Sequence, residues 1–299
     1  MRVVVATDVI AGLSPQAASE TIGHAFASRD AQVVVVPLGV DGDQLASAVG
    51  TAAPDAVFVA PRTGPDLGAV LAGHRDERPL VVDLTHCAID DLGRSALAAF
   101  GEEPAPALAS GQGAWRGRSL VALVPQEQAA RPLTGLEGHA STEMRAAGAT
   151  LQEILEFDAD AERWAQGLSV EPGPGAGAAG GAGLIIAALG GRVVDPLTWL
   201  ADSYRLNDTI AKADLVVTGA ELLEFHEVGG PVVKRVIGWA EEQLRPVIAI
   251  AGRNFVSARE LRTAGLENAY PLRERVGEEP STPEELARVA ERVATSWTW

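Results

Sequence analysis

Short β-branched runs alternate with longer stretches of helical periodicity along this chain. Residues 2–6 form the first run, residues 8–14 read as a loop, and residues 15–26 as a helix with Ser14 at the N-cap and Pro15 in its first turn. Residues 32–37 make a second strand, and strand-helix-strand spacing of this kind implies parallel pairing through a right-handed crossover. The alternation continues with a helix near 44–51, a strand at 56–60, a helix near 67–73, a strand at 80–84 and a helix over about 91–100. Residues 101–117, rich in Gly, Pro and Ala, read as a loop or local linker, and 119–124 as a strand. Two helices are expected within 141–166. From Asp195 onward the pattern gives a helix, a strand at 215–218, a helix at 232–243, a strand at 247–251, a helix at 258–264 and an extended segment at 268–272. The last helix starts with Thr282 as cap, Pro283 in the first position and Glu285 closing a capping box. This order predicts an α/β protein with parallel sheets and helices on both faces.

One segment interrupts the alternation. Residues 171–183 are mostly Gly and Ala and turn directly into the apolar run 184–189. Glycine this dense is costly to order, so the backbone itself must be needed there. Two roles fit: a Gly-rich turn feeding a helix N-terminus can offer amides to an anion, typically phosphate. The other role is close packing of the backbone with no ligand.

At 299 residues the chain is long for one domain, so two domains are expected. The longest apolar run, around 182–189, is too short to span a bilayer, and Met1-Arg2 leads into Val3 without the features of a secretory signal. The cytoplasm is therefore the expected compartment, with no membrane partner. Cys87 is the single cysteine, which excludes an internal disulfide framework and a Cys-based zinc cluster. A formal charge of −16 disfavours nucleic acid, whose binding depends on Lys and Arg along the phosphates. Only Lys212 and Lys234 are lysines, so any point charge on a phosphate has few sources besides Arg.

In parallel sheets, ligands sit beyond the carboxyl ends of strands. That rule singles out Asp8, Asp41-Gly42-Asp43 and Thr218-Gly219, where acidic groups can orient a hydroxyl or hold Mg²⁺ and where turn chemistry also favours these residue types. A Walker P-loop is absent, since neither lysine follows Gly and precedes Ser or Thr. Gly175, Gly177 and Gly180 satisfy the dinucleotide spacing G-x-G-x-x-G, with Asp195 about twenty residues beyond. The context argues against it: only Leu168-Ser169-Val170 precedes, and Pro172 and Pro174 break any strand.

Residues 173–189, G-P-G-A-G-A-A-G-G-A-G-L-I-I-A-A-L, resemble the Gly/Ala segment of the bacterial glycerate kinase family. Other pieces fall in the same order. Val3 to Asp8 is similar to the family's opening strand and P-D-S-F-K turn, and Asp41-Gly42 to the start of D-G-G-E-G-T. Arg131-Pro132-Leu133-Thr134-Gly135 resembles N-P-L-x-G, while residues 215–219 and 246–252 resemble V-I-T-G-E-G-R-I-D and P-V-I-x-I-A-G. The resemblance covers most of the chain. It implies a Rossmann-like α/β domain, residues 1–62 with 196–299, and an inserted α/β domain, residues 63–195, that carries the glycine segment and closes with the first over the substrates. It also implies ATP- and Mg²⁺-dependent phosphorylation of D-glycerate or a similar small hydroxy acid; a homodimer is a separate expectation, from the terminal tryptophans Trp297 and Trp299. On this basis Asp8, Asp41 and Asp43 are the catalytic candidates. Gly42, Arg131, Gly175, Gly177, Gly180, Gly181, Thr218, Gly219 and Glu224 are the substrate or phosphate candidates.

The chain also departs from the motifs. Ala11 stands where P-D-S-F-K-G has Lys, and Asp43-Gln44-Leu45 replace most of D-G-G-E-G-T. Residues 85–93, T-H-C-A-I-D-D-L-G, stand for G-G-S-A-T-N-D-G-G, and Ala220-Glu221-Leu222 replace Glu, Gly and Arg after Thr218-Gly219, with Glu224 in place of the Asp. Relative to the family the chain is short between Asp43 and Leu67. Loss of a phosphate-facing cation removes charge stabilisation from phosphoryl transfer. The alternative function is therefore an inactive relative that acts as a small-molecule-binding or regulatory protein. His86-Cys87, for which the sequence identifies no orienting third group, reads as core or loop residues and not as a nucleophilic pair. Glu221, Glu224, His226 and Glu227 suit a solvated surface better than a metal site. Trp297 and Trp299 are expected to dock the tail or a dimer contact.

Overall fold

The computed structural model describes residues 1–224, 228–273 and 280–298. It runs β1 (Arg2–Val5), α1 (Pro15–Ala27), β2 (Gln32–Val35) and α2 (Gly42–Ala52), then β3 (Val57–Val59), α3 (Gly64–Gly73), β4 (Leu80–Asp83), α4 (Arg94–Ala98), α5 (Pro104–Trp115) and β5 (Leu120–Leu123). Next come α6 (Leu151–Gly167), α7 (Ala182–Ala188), β6 (Arg192–Val194) and α8 (Pro196–Tyr204). The chain ends with α9 (Leu206–Ala211), β7 (Leu215–Leu223), α10 (Gly230–Glu242), β8 (Val247–Asn254), α11 (Ala258–Thr263), β9 (Asn268–Pro271) and α12 (Pro283–Trp297).

Two compact units result, Met1–Ala52 with Leu200–Trp299, and Ala53–Trp199. The chain enters the second unit at Ala53, ahead of the expected 62/63 boundary. The reason is pairing: Val57 to Val59 lie in register with Leu80 to Val82. Among the described residues, the first unit holds a parallel sheet in the order β2-β1-β7-β8-β9 and the second a parallel sheet β3-β4-β5-β6. Both are α/β, as the strand-helix alternation predicts.

In the first unit, Val3 and Val5 of β1, Val217 of β7 and Ile248 of β8 join Ile22 and Phe26 of α1 and Leu286, Val289 and Val293 of α12 in one core. The i, i+3, i+7 spacing on α12 puts those residues on a single stripe. Its N-terminus is fixed by the predicted capping box: Glu285 N–H donates to Thr282 Oγ1 at 3.3 Å, and Thr282 N–H to Glu285 Oε2 at 3.0 Å. Thr282→Ala is expected to cost about 1 kcal/mol, read as a lower denaturant midpoint at unchanged slope. Trp297 closes the same helix, its Nε1 donating to Tyr270 Oη at 2.7 Å, so this tryptophan docks on its own unit. Trp299 lies outside the described residues.

In the second unit three elements differ from expectation. Residues 104–115 are helical, because Pro104 suits the first turn of a helix and buried Leu108, Gly111 and Trp115 form its inner face. The strand β6 was not expected, being three residues long and set behind Gly190-Gly191. The two helices expected in 141–166 are a π-helical turn, Ala140–Met144, followed by α6 with its own Thr150/Glu153 capping box.

Candidate functional site

In the first unit, candidate residues gather where β1 gives way to its loop. Thr7 is fully buried, its hydroxyl 2.9 Å from Ser19 Oγ, and the Asp8 N–H donates to the Gly219 carbonyl at 2.8 Å. The main chain thus stays tied to β7 up to Asp8, and the carboxylate emerges half-buried at the sheet's edge. Asp8 Oδ1 accepts from the Val9 amide at 2.7 Å. Burial raises the Asp8 pKa above the ordinary carboxylate range against the opposing Val9 hydrogen bond, and the nearby charge of Asp41 adds to the rise. Asp41 opens α2, its carbonyl accepting from Leu45 N–H at 3.0 Å. Gly42 follows with φ of +54° and nothing within 4 Å of a Cβ, so backbone conformation and not space calls for glycine. Asp43 is exposed in the first turn of α2, where the helix dipole favours an anion.

Thr218 and Gly219 do not lie beyond a strand. They sit inside β7, which continues to Leu223 because its pairing with β8 extends past the expected end, through Leu222 with Arg253 and Leu223 with Asn254. Thr218 Oγ1 is buried with no hydrogen-bond partner among the described residues, and a Cβ on Gly219 would come 1.9 Å from the Ile250 carbonyl oxygen. Glu224 is exposed just after β7. Glu221 is not part of a solvated cluster. Its Oε2 accepts from the Ala11 N–H at 2.7 Å, and the carboxylate lies over Gly252, where a Cβ would come 2.3 Å from Oε1. His226 and Glu227 lie outside the described residues. No group of three or more His, Cys, Asp or Glu among the described residues is placed to hold a metal ion.

One cation at this sheet end was not anticipated. Arg253 pairs across the sheet with Leu222, and strand alternation puts the two side chains on one face, opposite Glu221. It makes no ion pair among the described residues. Only the strand register shows this neighbour.

In the second unit the glycine segment is buried from Gly175 to Ile186. A Cβ would come 2.0 Å from the Pro132 carbonyl oxygen at Gly177, 1.8 Å from that of Ile89 at Gly180, 2.8 Å from that of Ala129 at Gly175 and 2.8 Å from Leu92 Cδ2 at Gly181. Most of the amides expected to be open are engaged. Those of residues 176–179 and 181–184 donate to Gly173, Arg131, Gly175, Ala178, Ala179 and Ala176 carbonyls and to Gln128 Oε1. Close packing against the 89–92 and 129–132 loops is thus the task these glycines perform.

Arg131 is buried beside this segment, its carbonyl accepting from the Gly177 amide at 3.1 Å. Its guanidinium donates to Glu143, which also accepts from Gln128 Nε2 at 2.6 Å and has its other oxygen 3.3 Å from His139 Nδ1. Burial holds the His139 pKa below its ordinary value; Arg131 acts in the same direction, while Glu143 and Asp90 oppose it. Sequence inspection found only Arg131, although His139 and Glu143 stand in helical i, i+4 spacing.

The His86-Cys87 pair follows a turn in which Asp83 Oδ1 accepts from the Thr85 amide and hydroxyl at 2.9 and 2.6 Å. Burial, reinforced by Asp66 and Asp83, pushes the Cys87 thiol up to about 11, so it is not a thiolate nucleophile at neutral pH. Alkylation by iodoacetamide is expected to keep rising about tenfold per pH unit through pH 9 to 10, where an ordinary thiol, half ionised near pH 8.5, approaches its plateau. A plateau reached by about pH 9.5 would contradict this environment.

Residues 121–298 match the model of the glycerate kinase family. The chain belongs to this family. An uncharacterized protein of Mycobacterium bovis is 29% identical over 204 residues, 66% of this chain and 51% of that protein. Glycerate kinase of Bacillus cereus is 30% identical over 170 residues, 54% of this chain and 43% of the relative. Glycerate 2-kinase of Escherichia coli is 30% identical over 128 residues, 40% and 34% of the two chains. The chain spans about half the length of the first of these curated relatives. A crystal structure of a protein assigned as glycerate kinase 2 from Salmonella typhimurium LT2 superposes with a TM-score of 0.67 at 20% identity, over 99% of this chain and 98% of that one. The glycerate kinase fold is thus kept across both units.

Seen against the family's motifs, the replaced positions have local explanations. Ala11, in place of a lysine, is buried at φ +54° with its amide on Glu221. Glu221 itself fills the space above Gly252. Leu222, in place of an arginine, faces its strand partner Arg253.

Proposed function

We propose that this glycerate kinase family member transfers a phosphoryl group from ATP to the hydroxyl of D-glycerate or a similar small hydroxy acid. The observation that carries the proposal is the half-buried Asp8 just beyond the carboxyl end of β1, its pKa raised first by burial and further by the nearby charge of Asp41. A carboxylate in that state is suited to accept the proton of an alcohol as it attacks. Asp41, with Asp43 one helical position beyond Gly42, supplies the hard oxygen donors that Mg²⁺ takes, since that ion commonly uses one or two carboxylates together with substrate phosphates. The donor chemistry therefore fits Mg²⁺, which when bound would neutralise charge on the transferring group. Arg253 is a cation available at the same sheet end. The amides of residues 176–179 and 181–184, being engaged internally, do not offer a phosphate cradle.

A second reading is favoured by Ala11 and Glu221. A buried alanine where the motif carries lysine, with a carboxylate beside it, removes positive charge from phosphoryl transfer and suits a protein that binds a small molecule without turnover. A coupled assay of ADP release with D-glycerate, ATP and Mg²⁺ separates the two. Glycerate-dependent ADP release supports the kinase; a thermal shift with D-glycerate and no ADP release supports the binding protein.

A further inference from the structure

The second unit contains a polar cluster that this chemistry does not use. Three side chains converge on the single carboxylate of Glu143: Arg131 and Gln128 donate to Oε1, the latter at 2.6 Å, and His139 Nδ1 lies 3.3 Å from Oε2. Arg131 and His139 are 7% and 8% exposed, whereas the Glu143 side chain is 41% exposed. A guanidinium this buried requires an anion. His139 Nδ1 is buried and makes no hydrogen bond among the described residues.

The donors and their present acceptor are held differently. Arg131 is anchored by its carbonyl to the Gly177 amide, Gln128 by its Oε1 to the Ala179 amide at 2.8 Å, and the His139 ring rests 5.5 Å from that of Phe157. Each therefore rests on the close-packed glycine segment or on α6. Glu143 comes instead from the π-helical turn Ala140–Met144, a rare geometry that concentrates at functional sites. Its two oxygens are divided between the Arg131–Gln128 pair and His139, as the two oxygens of a planar carboxylate would be. Asp90 also bears on His139, which weighs against a doubly charged phosphate.

We infer that Arg131, Gln128 and His139 form a binding site for the carboxylate of a small organic acid, which Glu143 fills in cis until ligand displaces it. The site stands whether or not the protein transfers phosphate.

Calorimetric titration of the full chain tests it. D-glycerate is expected to bind about tenfold tighter to Glu143→Gln than to wild type, because the competing charge is gone while the amide still accepts from Arg131. The gain is expected to vanish in Glu143→Gln combined with Arg131→Met, and glycerol, which has no carboxylate, is expected to show none. Unchanged affinity in a folded Glu143→Gln protein overturns the inference, as does an equal gain for glycerol or a gain that survives loss of Arg131. Wild-type protein gives a second readout that needs no variant. Saturating D-glycerate is expected to speed amide exchange in residues 139–145, and unaltered exchange in that peptide would overturn the inference even if the variants failed to fold.

Discussion

Gly180→Ala is expected to destabilise the second unit by about 3 kcal/mol, combining the cost of overpacking with that of a left-handed backbone carrying a side chain. Gly180 has φ of +62°, and its new Cβ would lie 1.8 Å from the Ile89 carbonyl oxygen and 2.6 Å from the carbonyl carbon. Backbone on one side and the buried segment on the other leave no flexible side chain to yield. Gly117→Ala provides the control: it shares a positive φ of +76° but has nothing within 4 Å of the new Cβ. It should cost only the conformational part, about 1 kcal/mol. Denaturant titration followed by Trp fluorescence compares the two. Equal losses would mean that close packing does not explain the glycine segment, and an anion-binding role would regain its force.

The second large effect concerns turnover. Asp8→Asn is expected to lower kcat by about two to four orders of magnitude, the range for loss of a positioned general base. Asp41→Asn is expected to act on the Mg²⁺ dependence instead, requiring more metal for half-maximal rate. The sign of the pH effect follows from geometry. Burial and Asp41 both raise the Asp8 pKa, so the ascending limb of kcat/KM should lie above the ordinary carboxylate range. Removing the Asp41 charge should move that limb to lower pH. A limb that stays in place in Asp41→Asn, or full activity in Asp8→Asn, would show that another group takes the proton.

Much of the fold was legible because its signals are local. Ser14 and Thr282 cap the helices expected of them, with Pro15 and Pro283 in the first turns. The missed elements depend on tertiary contacts. Residues 104–115 look like a linker by composition, and only the buried face of Leu108, Gly111 and Trp115 makes them a helix. The extension of β7 comes from its partner β8, so no inspection of residues 219–223 alone could show it.

The site was legible to a smaller degree for the same reason. Asp8 and Asp41 follow strands in sequence, and the rule about strand ends found them. The meaning of Gly177 and Gly180 depends on carbonyls of Pro132 and Ile89, far away along the chain. Arg253 gains its neighbour through strand register, and Glu221, taken for a surface residue, is placed by the amide of Ala11. Family motifs identified which segments matter without showing what now fills them.

The most direct test of the central claim is glycerate-dependent ADP release by the purified wild-type chain with ATP and Mg²⁺, measured beside folded Asp8→Asn. Turnover in the wild type is expected to require both D-glycerate and Mg²⁺ and to fall at least about a hundredfold in the variant. Absence of glycerate-dependent ADP release from the wild type, or equal rates in the two proteins, would contradict that claim.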